Sequence, residues 1–430
     1  MFKNYLKIAL RTLRRNKIYS FINILGLAIS IAACLLILQY VSFELSYDTF
    51  HANADNLYRL TNDRHQNGQL TQHGVITYPS VPKAMKTDYP EVVNYTRMIQ
   101  ANRAYLRRGE IGFDESLVHA DSAFLSMFSF PLLLGEAKTA LAAPNSILLS
   151  ESSAEKYFGA GWREQEILGK LLNRDNRIDY AITGVFKNVP ANSHIKFDFL
   201  VSYKTLQQTW PAAEDSWTNS NFMVYLQLVP GTDPKALEKK FAAFSERYFQ
   251  GTKVTNSLES FYLQPLKDIH LYSDYEYETW AHGNGIAVWT LLMVAGLILL
   301  IAWVNYINLT TARAMERAKE VGVRKVVGAR KRQLVEQLAI ESLLFNLLGL
   351  AAAVMLIELS RPFIAEKLGI YFSSAFSTGQ LGLVFIALFL LGTLASALFP
   401  GFLLSSFETI AVLKGKLARS ARGHLMRRSL

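Results

Sequence analysis

The chain has 430 residues, a single cysteine and a formal net charge of +10, and half of its residues are hydrophobic. The lone Cys34 excludes an intrachain disulfide and a thiolate metal cluster, and the eight histidines show no H-x-x-x-H or similar ligand spacing. A hydrophobic share of one half is high for a chain wholly in water and low for one wholly in lipid. It points to a membrane part joined to a water-soluble part.

Residues 1–17 place Phe2, Leu6, Ala9, Leu10 and Leu13 at helical spacing, with Lys3, Lys7, Arg11 and Arg14 on another face. That pattern suits a cytoplasmic basic amphipathic helix lying in the inner headgroup layer. The first transmembrane helix is expected over 18–44, around the uncharged run Ile22–Phe43. The IAAC tetrapeptide (31–34) resembles a lipoprotein cleavage box, yet the apolar run continues through it as LLIL, so an uncleaved anchor is expected.

Residues 45–285 then form one large domain that reads as mixed α/β in two small lobes. Strand-like runs include LYRL (57–60), SILLS (146–150), YAITGVF (180–186), FDFLVSY (197–203) and FMVYLQLV (222–229). SVPKAMKTDY (80–89) and SESSAEKYF (150–158) read as helices. The strongest helical pattern is 233–249: Asp233 can cap it, Pro234 suits its first turn, and Leu237, Phe241, Phe244 and Tyr248 share a face. No catalytic constellation stands out. S-x-x-K occurs at Ser80–Lys83, Ser153–Lys156 and Ser193–Lys196, without the S-D-N or K-T-G that would support it.

Three more spans are expected at 286–309, 334–359 and 381–403, joined by a basic loop (310–333) and an outer loop (360–380) and followed by a basic tail (404–430). The third span carries Glu336, Glu341 and Glu358. Residues 1–17, 310–333 and 404–430 together hold 20 basic and 3 acidic groups, against 25 basic and 32 acidic elsewhere. The basic excess therefore lies on one side, which the positive-inside rule makes the cytoplasm. Both termini fall there, the large domain falls in the periplasm, and the basic charge is explained without nucleic acid. Within the spans, Asn305 and Asn308 should face the helix bundle, where amides bond across helices. Glu341 should face protein or water, paired with a basic residue of the 310–333 loop or sitting at the headgroup boundary. Gly392 and Ser396 give small-x-x-x-small spacing, and Pro400 should kink or end the fourth span.

The stretch RAKEVGVRKVVGARKRQL (317–334) carries seven basic side chains and one acid, with Val323, Val326 and Val327 as apolar knobs between them. Such an element could dock into a groove of a partner protein, or contact lipid headgroups and enforce topology. No G-x-x-x-x-G-K-[ST] occurs, so the chain has no phosphate-cradling loop for ATP.

The 305–342 stretch resembles the cytoplasmic loop of the FtsX/MacB-like ABC-transporter permeases, whose pattern is roughly E-[IV]-G-[IV]-R-[KR]-x-x-G-A; Glu320, Val321, Gly322, Val323, Arg324, Lys325, Gly328 and Ala329 follow it. ILLSESSAEKYFG (147–159) and AITGVFKNVPANSHIKFDFLVS (181–202) are similar to the MacB-like periplasmic core, and 4–29 to the Bacteroidetes-type versions. The resemblance implies a bacterial inner-membrane permease subunit that is itself non-catalytic and binds no cofactor. ATP and Mg would sit on a separate cytoplasmic ABC ATPase, into whose groove Arg317 and the 320–329 residues would dock as a coupling helix. ATP-driven closure would be transmitted to the periplasmic domain, a mode called mechanotransmission, for efflux or release of a peptide, a lipoprotein or a drug-like substrate. The chain would work as a homodimer or with a second permease half, and with a periplasmic adaptor or substrate protein. Bacteroidetes relatives usually carry a second outer domain and further spans, so this is either a half-size permease or a truncated product. Two readings compete with transport. A membrane-anchored extracytoplasmic sensor would need a cytoplasmic output module, and a periplasmic enzyme would need a catalytic constellation.

Overall fold

The computed structural model describes residues 2–101, 103–312, 331–368 and 379–405, together with Val323 and Val327. Residues 1–43 and 286–430 group as one compact unit and residues 44–285 as another.

The first unit is helical. A Phe2–Arg15 helix stops at Asn16, and long helices run over Lys17–Leu45, Gly285–Ala312, Lys331–Leu368 and Gly379–Ser405. Lys17–Leu45, Gly285–Thr311 and Val335–Phe363 are each long and apolar enough to cross a membrane, while the fourth helix has the shorter apolar stretch Gly382–Ser396. Leu27, Ile31, Leu35 and Leu38 of the first helix recur at three- and four-residue steps, and so present one stripe. That stripe packs in one core with Ala295, Leu299, Ala302 and Tyr306, with Phe345, Ala353 and Ile357, and with Phe385 and Phe389. Cys34 is buried in the same core as an ordinary apolar side chain. The amino-terminal helix adds Ala9, which is buried, and Leu13, which packs against the core, while Leu10 on the same stripe is exposed.

One expectation is corrected here. The Lys331–Leu368 helix does not stop near residue 359 but continues through Pro362, taking in residues expected to lie in a loop. Leu359, Arg361, Ala365, Glu366, Lys367 and Leu368 all favour helix, and an Arg361–Glu358 pair at 2.6 Å supports the turn that Pro362 weakens. Of the two outcomes expected at Pro400, a kink or an end, the helix does not end there but reaches Ser405.

The second unit is built on one sheet of fourteen strands. They are β1 (Leu57–Gln66), β2 (Gln69–Gly74), β3 (Ile76–Thr77), β4 (Val92–Gln100), β5 (Ala104–Arg108), β6 (Ile111–Glu115), β7 (Leu117–Ala120), β8 (Leu132–Leu134), β9 (Ser146–Ser150), β10 (Leu171–Arg174), β11 (Ile178–Phe186), β12 (Phe199–Ser202), β13 (Phe222–Leu228) and β14 (Leu258–Pro265). The spatial order is β14-β1-β13-β4-β7-β12-β9-β11-β10-β5-β6, with β2, β3 and β8 paired to β1, β13 and β11. Pairing is antiparallel except for β9 with β11 and β7 with β12.

Strand alternation sorts the side chains into two faces. On one face Met223 and Tyr225 of β13, Val118 of β7, Leu200 of β12 and Leu148 of β9 share a single core with Phe124, Phe128 and Phe130. The other face carries two separate cores. Val224 and Leu226 pack with Phe241, Phe244 and Phe261 at one end, and Ile147, Leu149, Phe199 and Val201 pack with Tyr157 and Trp162 at the other. Ser150 ends β9 and caps the Glu151–Phe158 helix, its Oγ accepting from Ser153 N at 3.2 Å. The 233–249 segment forms two helices, Pro234–Glu238 and Phe241–Phe249, with Asp233 capping the first at 2.9 Å. A tighter bond from Lys240 N to Leu237 O, 2.9 Å, turns the chain between them, and neither Gly nor Pro marks the break.

Buried His51 and His119 bear on pH stability. Burial is the main cause holding each imidazole neutral in the folded state, pushed down to about 4 from an ordinary 6.5, although Asp48 beside His51 works the other way. Above pH 6.5 neither state binds a proton at these groups. Between about 6.5 and 4 the unfolded chain takes up protons that the folded chain refuses, so stability falls with pH at up to ~1.4 kcal/mol per unit for each group. Unfolding midpoints of the purified chain at pH 7, 5.5 and 4.5 should drop progressively, and His51→Gln should flatten the slope. An unaltered slope in that variant would show that His51 does not contribute.

Candidate functional site

Two buried polar arrangements and one exposed segment are the places where this protein can do more than fold. The first lies in the α/β unit, at the residues where the chain enters and leaves it. Glu44 Oε2 lies 2.8 Å from His270 Nε2, with both side chains nearly excluded from solvent. The Tyr47 ring stacks on the same imidazole at 3.3 Å between centroids. Gly283 N donates to the His270 carbonyl at 2.7 Å. A Cβ at Gly283 would come within 2.7 Å of Glu44 Oε2 and 2.8 Å of His270 Nε2, so the close approach needs glycine. Asn192 Nδ2 donates to the Ser46 carbonyl at 3.0 Å, and Asp48 N donates to the Asn192 carbonyl at 2.9 Å. Residues 44–48 are thus fastened to 192, 270 and 283, and the two passages of chain at this base are tied to one another.

The second arrangement is a polar seam inside the helix bundle. Ser342 Oγ accepts from the Tyr306 hydroxyl at 3.1 Å and donates to the Ser396 carbonyl at 3.2 Å. Asn346 Nδ2 donates to the Ser342 carbonyl at 2.9 Å and reaches Ser396 Oγ at 3.4 Å. These bonds join the Gly285–Ala312, Lys331–Leu368 and Gly379–Ser405 helices, and a 3.1 Å bond between the Tyr19 and Thr310 hydroxyls adds the Lys17–Leu45 helix. Bonds of this kind across membrane helices contribute roughly 0.6–2 kcal/mol each and set the rotation of one helix against another. Glu341 is buried. Arg332 pairs with Glu336 at 2.8 Å, whereas Arg313, Arg317, Lys319, Arg324, Lys325 and Arg330 fall outside the described residues.

The asparagines expected at the bundle interior are placed differently from one another. Asn305 is exposed on its helix, with its amide nitrogen near Gly26 of the Lys17–Leu45 helix, and Asn308 is half-buried. Asn346 is fully buried, and Asn23 and Gln39 of the first long helix are buried as well; none of the three was expected at the bundle interior from the sequence. A lone amide in LLFNLLGL, one helical turn after Ser342, was the available signal. Ser396 joins the seam, and Gly392 meets Trp303 so closely that a Cβ there would fall inside the indole ring.

Of the loop residues, Arg317, Glu320, Val321, Gly322, Arg324, Lys325, Gly328 and Ala329 lie outside the described residues. Val323 and Val327 are described, joined by a helical bond from Val327 N to Val323 O at 3.1 Å, and exposed by 52% and 83%. In the α/β unit the three S-x-x-K lysines are committed elsewhere. Lys83 pairs with Glu214, Lys156 with Glu115, and Lys196 donates to the Pro190 and Ala191 carbonyls.

Apolar helices of membrane-crossing length, with a large α/β domain inserted between the first and second, define a membrane protein with an extracytoplasmic domain. Residues 20–244, just over half of the chain, match the MacB-like periplasmic core domain, and residues 292–406 match the FtsX-like permease C-terminal domain. The chain therefore belongs to the MacB/FtsX-like family of ABC-transporter permeases. The pyoverdine export ATP-binding/permease protein PvdT of Pseudomonas syringae pv. tomato is 27% identical over 81 residues, which is 19% of this chain and 12% of PvdT. Among solved structures, a domain of a candidate permease protein from Porphyromonas gingivalis is similar with a TM-score of 0.44 and 22% identity, over 50% of this chain and 91% of that one. The extracellular domain of the YknZ transporter from Gram-positive bacteria is similar at TM-score 0.36 and 16% identity, covering 49% and 100% of the two chains. For the periplasmic region of MacB from Actinobacillus actinomycetemcomitans the values are 0.36 and 12%, covering 52% and 92%.

The Gly392–Trp303 contact yields a test of the seam. Gly392→Ala should force the indole aside and destabilise the purified chain by about 1–3 kcal/mol. Trp303→Ala in the same chain should recover most of that loss in detergent melting curves. Failure of the second change to rescue the first would show that the two helices do not meet there.

Proposed function

We propose that this chain is the permease subunit of an ABC transporter whose ATP hydrolysis, with its Mg, belongs to a separate cytoplasmic ATPase, and that the chain turns that hydrolysis into movement of its periplasmic domain. The observation that carries the reading is the match to the FtsX-like permease domain across 292–406, which contains the 317–329 segment. The exposed Val323 and Val327, in a stretch otherwise rich in Arg and Lys, suit an apolar-knob, basic-rim contact with a protein groove. In this reading Arg317, Glu320, Val321, Gly322, Arg324, Lys325, Gly328 and Ala329 complete the docking helix. The Gly379–Ser405 helix is the fourth span, and both termini are cytoplasmic. The two cores on one face of the sheet act as the two lobes of the periplasmic domain.

The seam from Tyr306 to Ser396 makes the helices that flank the loop turn together. The Glu44–His270 bond makes the entry and exit passages of the domain move as one. Function then needs a homodimer or a second permease half, to complete the pair of membrane halves over a pair of ATPase subunits. The cargo is a peptide, a lipoprotein or a drug-like molecule, released or expelled on the periplasmic side with an adaptor or substrate protein.

The test is co-purification from native membranes in mild detergent. An ATPase bearing a Walker A motif should accompany the wild-type chain and be lost from Arg324→Glu/Lys325→Glu, while membrane insertion is retained. ATPase stimulation by the wild-type chain should disappear with the same change. An ATPase bound and stimulated equally by both proteins would remove the docking role from this loop.

A further inference from the structure

A cleft of ≈ 390 Å³ opens in the α/β unit at one end of the β4–β13 ladder. Met223 pairs with Met98 there, so Asn221 and Gln100, each two residues further toward the same end of the antiparallel pair, fall on the same face. Both line the cleft, together with Ser116 just before β7, Arg103 just before β5 and Ile76 of β3. Thr279, in the segment that leads into the Gly285–Ala312 helix, forms another wall, and its hydroxyl donates to Met223 Sδ at 3.6 Å. None of these residues belongs to the base at Glu44–His270 or to the loop that would meet an ATPase.

The polar groups of the cleft are open to a ligand: Gln100, Arg103, Asn221 and Thr279 are exposed, and Ser116 is half-buried. No carboxylate lines the cleft, and among the described residues none lies within ion-pair distance of Arg103. Arg103 Nη2 donates to the Asp114 carbonyl at 3.2 Å, which leaves Nε and Nη1 to donate elsewhere. Gln100 Nε2 donates to Ser116 Oγ at 2.8 Å, so the Ser116 hydroxyl keeps its own proton to donate and Gln100 Oε1 is left to accept. Asn221 Nδ2 donates to Asn219 Oδ1 at 2.6 Å, leaving Asn221 Oδ1 as a second acceptor. The apolar surface comes from Met223, which belongs to the core behind the cleft, and Ile76, which packs against that core.

A guanidinium with free N–H groups and no competing acid matches a carboxylate. Two amide acceptors close by call for N–H donors on the same ligand, and the apolar wall calls for an aliphatic group. A free amino acid would bring an ammonium with no acid to meet it, whereas an amide N–H is neutral and needs one acceptor.

We propose that this cleft binds the free carboxyl end of a peptide whose last residue is aliphatic. The carboxylate meets Arg103 and Ser116, the last amide N–H groups donate to Gln100 and Asn221, and the aliphatic side chain lies against Ile76 and Met223. A ligand seated there also touches Thr279, and so bears on the segment that enters the Gly285–Ala312 helix. The site goes beyond the coupling reading, and its binding does not rest on it.

Calorimetric titration of the purified full-length chain with three N-acetylated tripeptides tests this. One ends in Ala-Ala-Leu with a free carboxylate, the second is its C-terminal amide, and the third ends in Ala-Ala-Gly with a free carboxylate. The leucine acid should bind saturably at one site, at least tenfold more tightly than either the leucine amide or the glycine acid. Arg103→Gln, a change at an exposed position, should weaken the leucine acid by tenfold or more and leave the amide as it was, so that the preference for the acid disappears. No saturable binding of the leucine acid, equal binding of acid and amide, equal binding of leucine and glycine ends, or an unchanged preference in Arg103→Gln overturns the site. None of these results alters whether an ATPase travels with the chain, so the two readings fail separately.

Discussion

Hydrocarbon offers no partner for a backbone N–H or C=O, and this is the constraint from which the membrane unit follows. Each segment there must satisfy its own backbone, so the apolar runs become helices, and specificity passes to whatever side chains the helices present to one another. Lipid is as apolar as leucine, and apolar stripes alone therefore define position weakly. The bundle answers with shape and a few polar bonds. Gly392 admits the Trp303 indole against a neighbouring backbone, and Ser342, Asn346 and Ser396 close a buried chain of hydrogen bonds with Tyr306. Removing any one partner leaves a polar group in a place where water cannot replace it.

Water outside removes that constraint, and the α/β unit solves a different problem. The central strands of its sheet are covered on both faces, so they are largely apolar or carry charges that must be paired. Arg59 and Arg97 are the largest such charges. Arg59 bonds Gln264, Ser273 and Glu278, with Nη2 at 2.6 Å from a Glu278 oxygen. Arg97 meets Asp121 at 2.8 Å and Glu214 at 3.2 Å, with the Tyr203 ring 4.1 Å from its guanidinium carbon. Breaking such a pair strands a buried charge, which costs far more than the pair itself contributes. These contacts tie β1 to the segment after β14 and β4 to the segment before β13, holding distant parts of the chain in one arrangement.

Local patterns were legible wherever one segment's chemistry decided its structure. Ser150 before the Glu151–Phe158 helix, Asp233 before Pro234, and the largely apolar runs at 146–150 and 222–228 all fold as their residues suggest. The misreadings arose where local preference was nearly balanced. A loop was expected from residue 360, but the residues around Pro362 favour helix strongly enough to tolerate one missing donor. The break at Lys239–Lys240 has no breaker at all. There Phe241 and Phe244 pack into the core with Phe261, and the chain turns to put them there.

Hydropathy, basic loops and the Val-Gly-Val-Arg-Lys stretch are properties of single segments, so reading along the chain is enough to identify a membrane permease with a large inserted domain. Which amide enters the bundle is not such a property. Asn305 and Asn346 are equally polar residues in equally apolar helices, and the difference is set by which face meets Ser396. The same holds for Glu44 and His270, more than two hundred residues apart, and for Arg103 with Asn221 and Thr279. Their pairing depends on strand order and helix rotation, which are long-range outcomes of packing, so no window of neighbouring residues contains them.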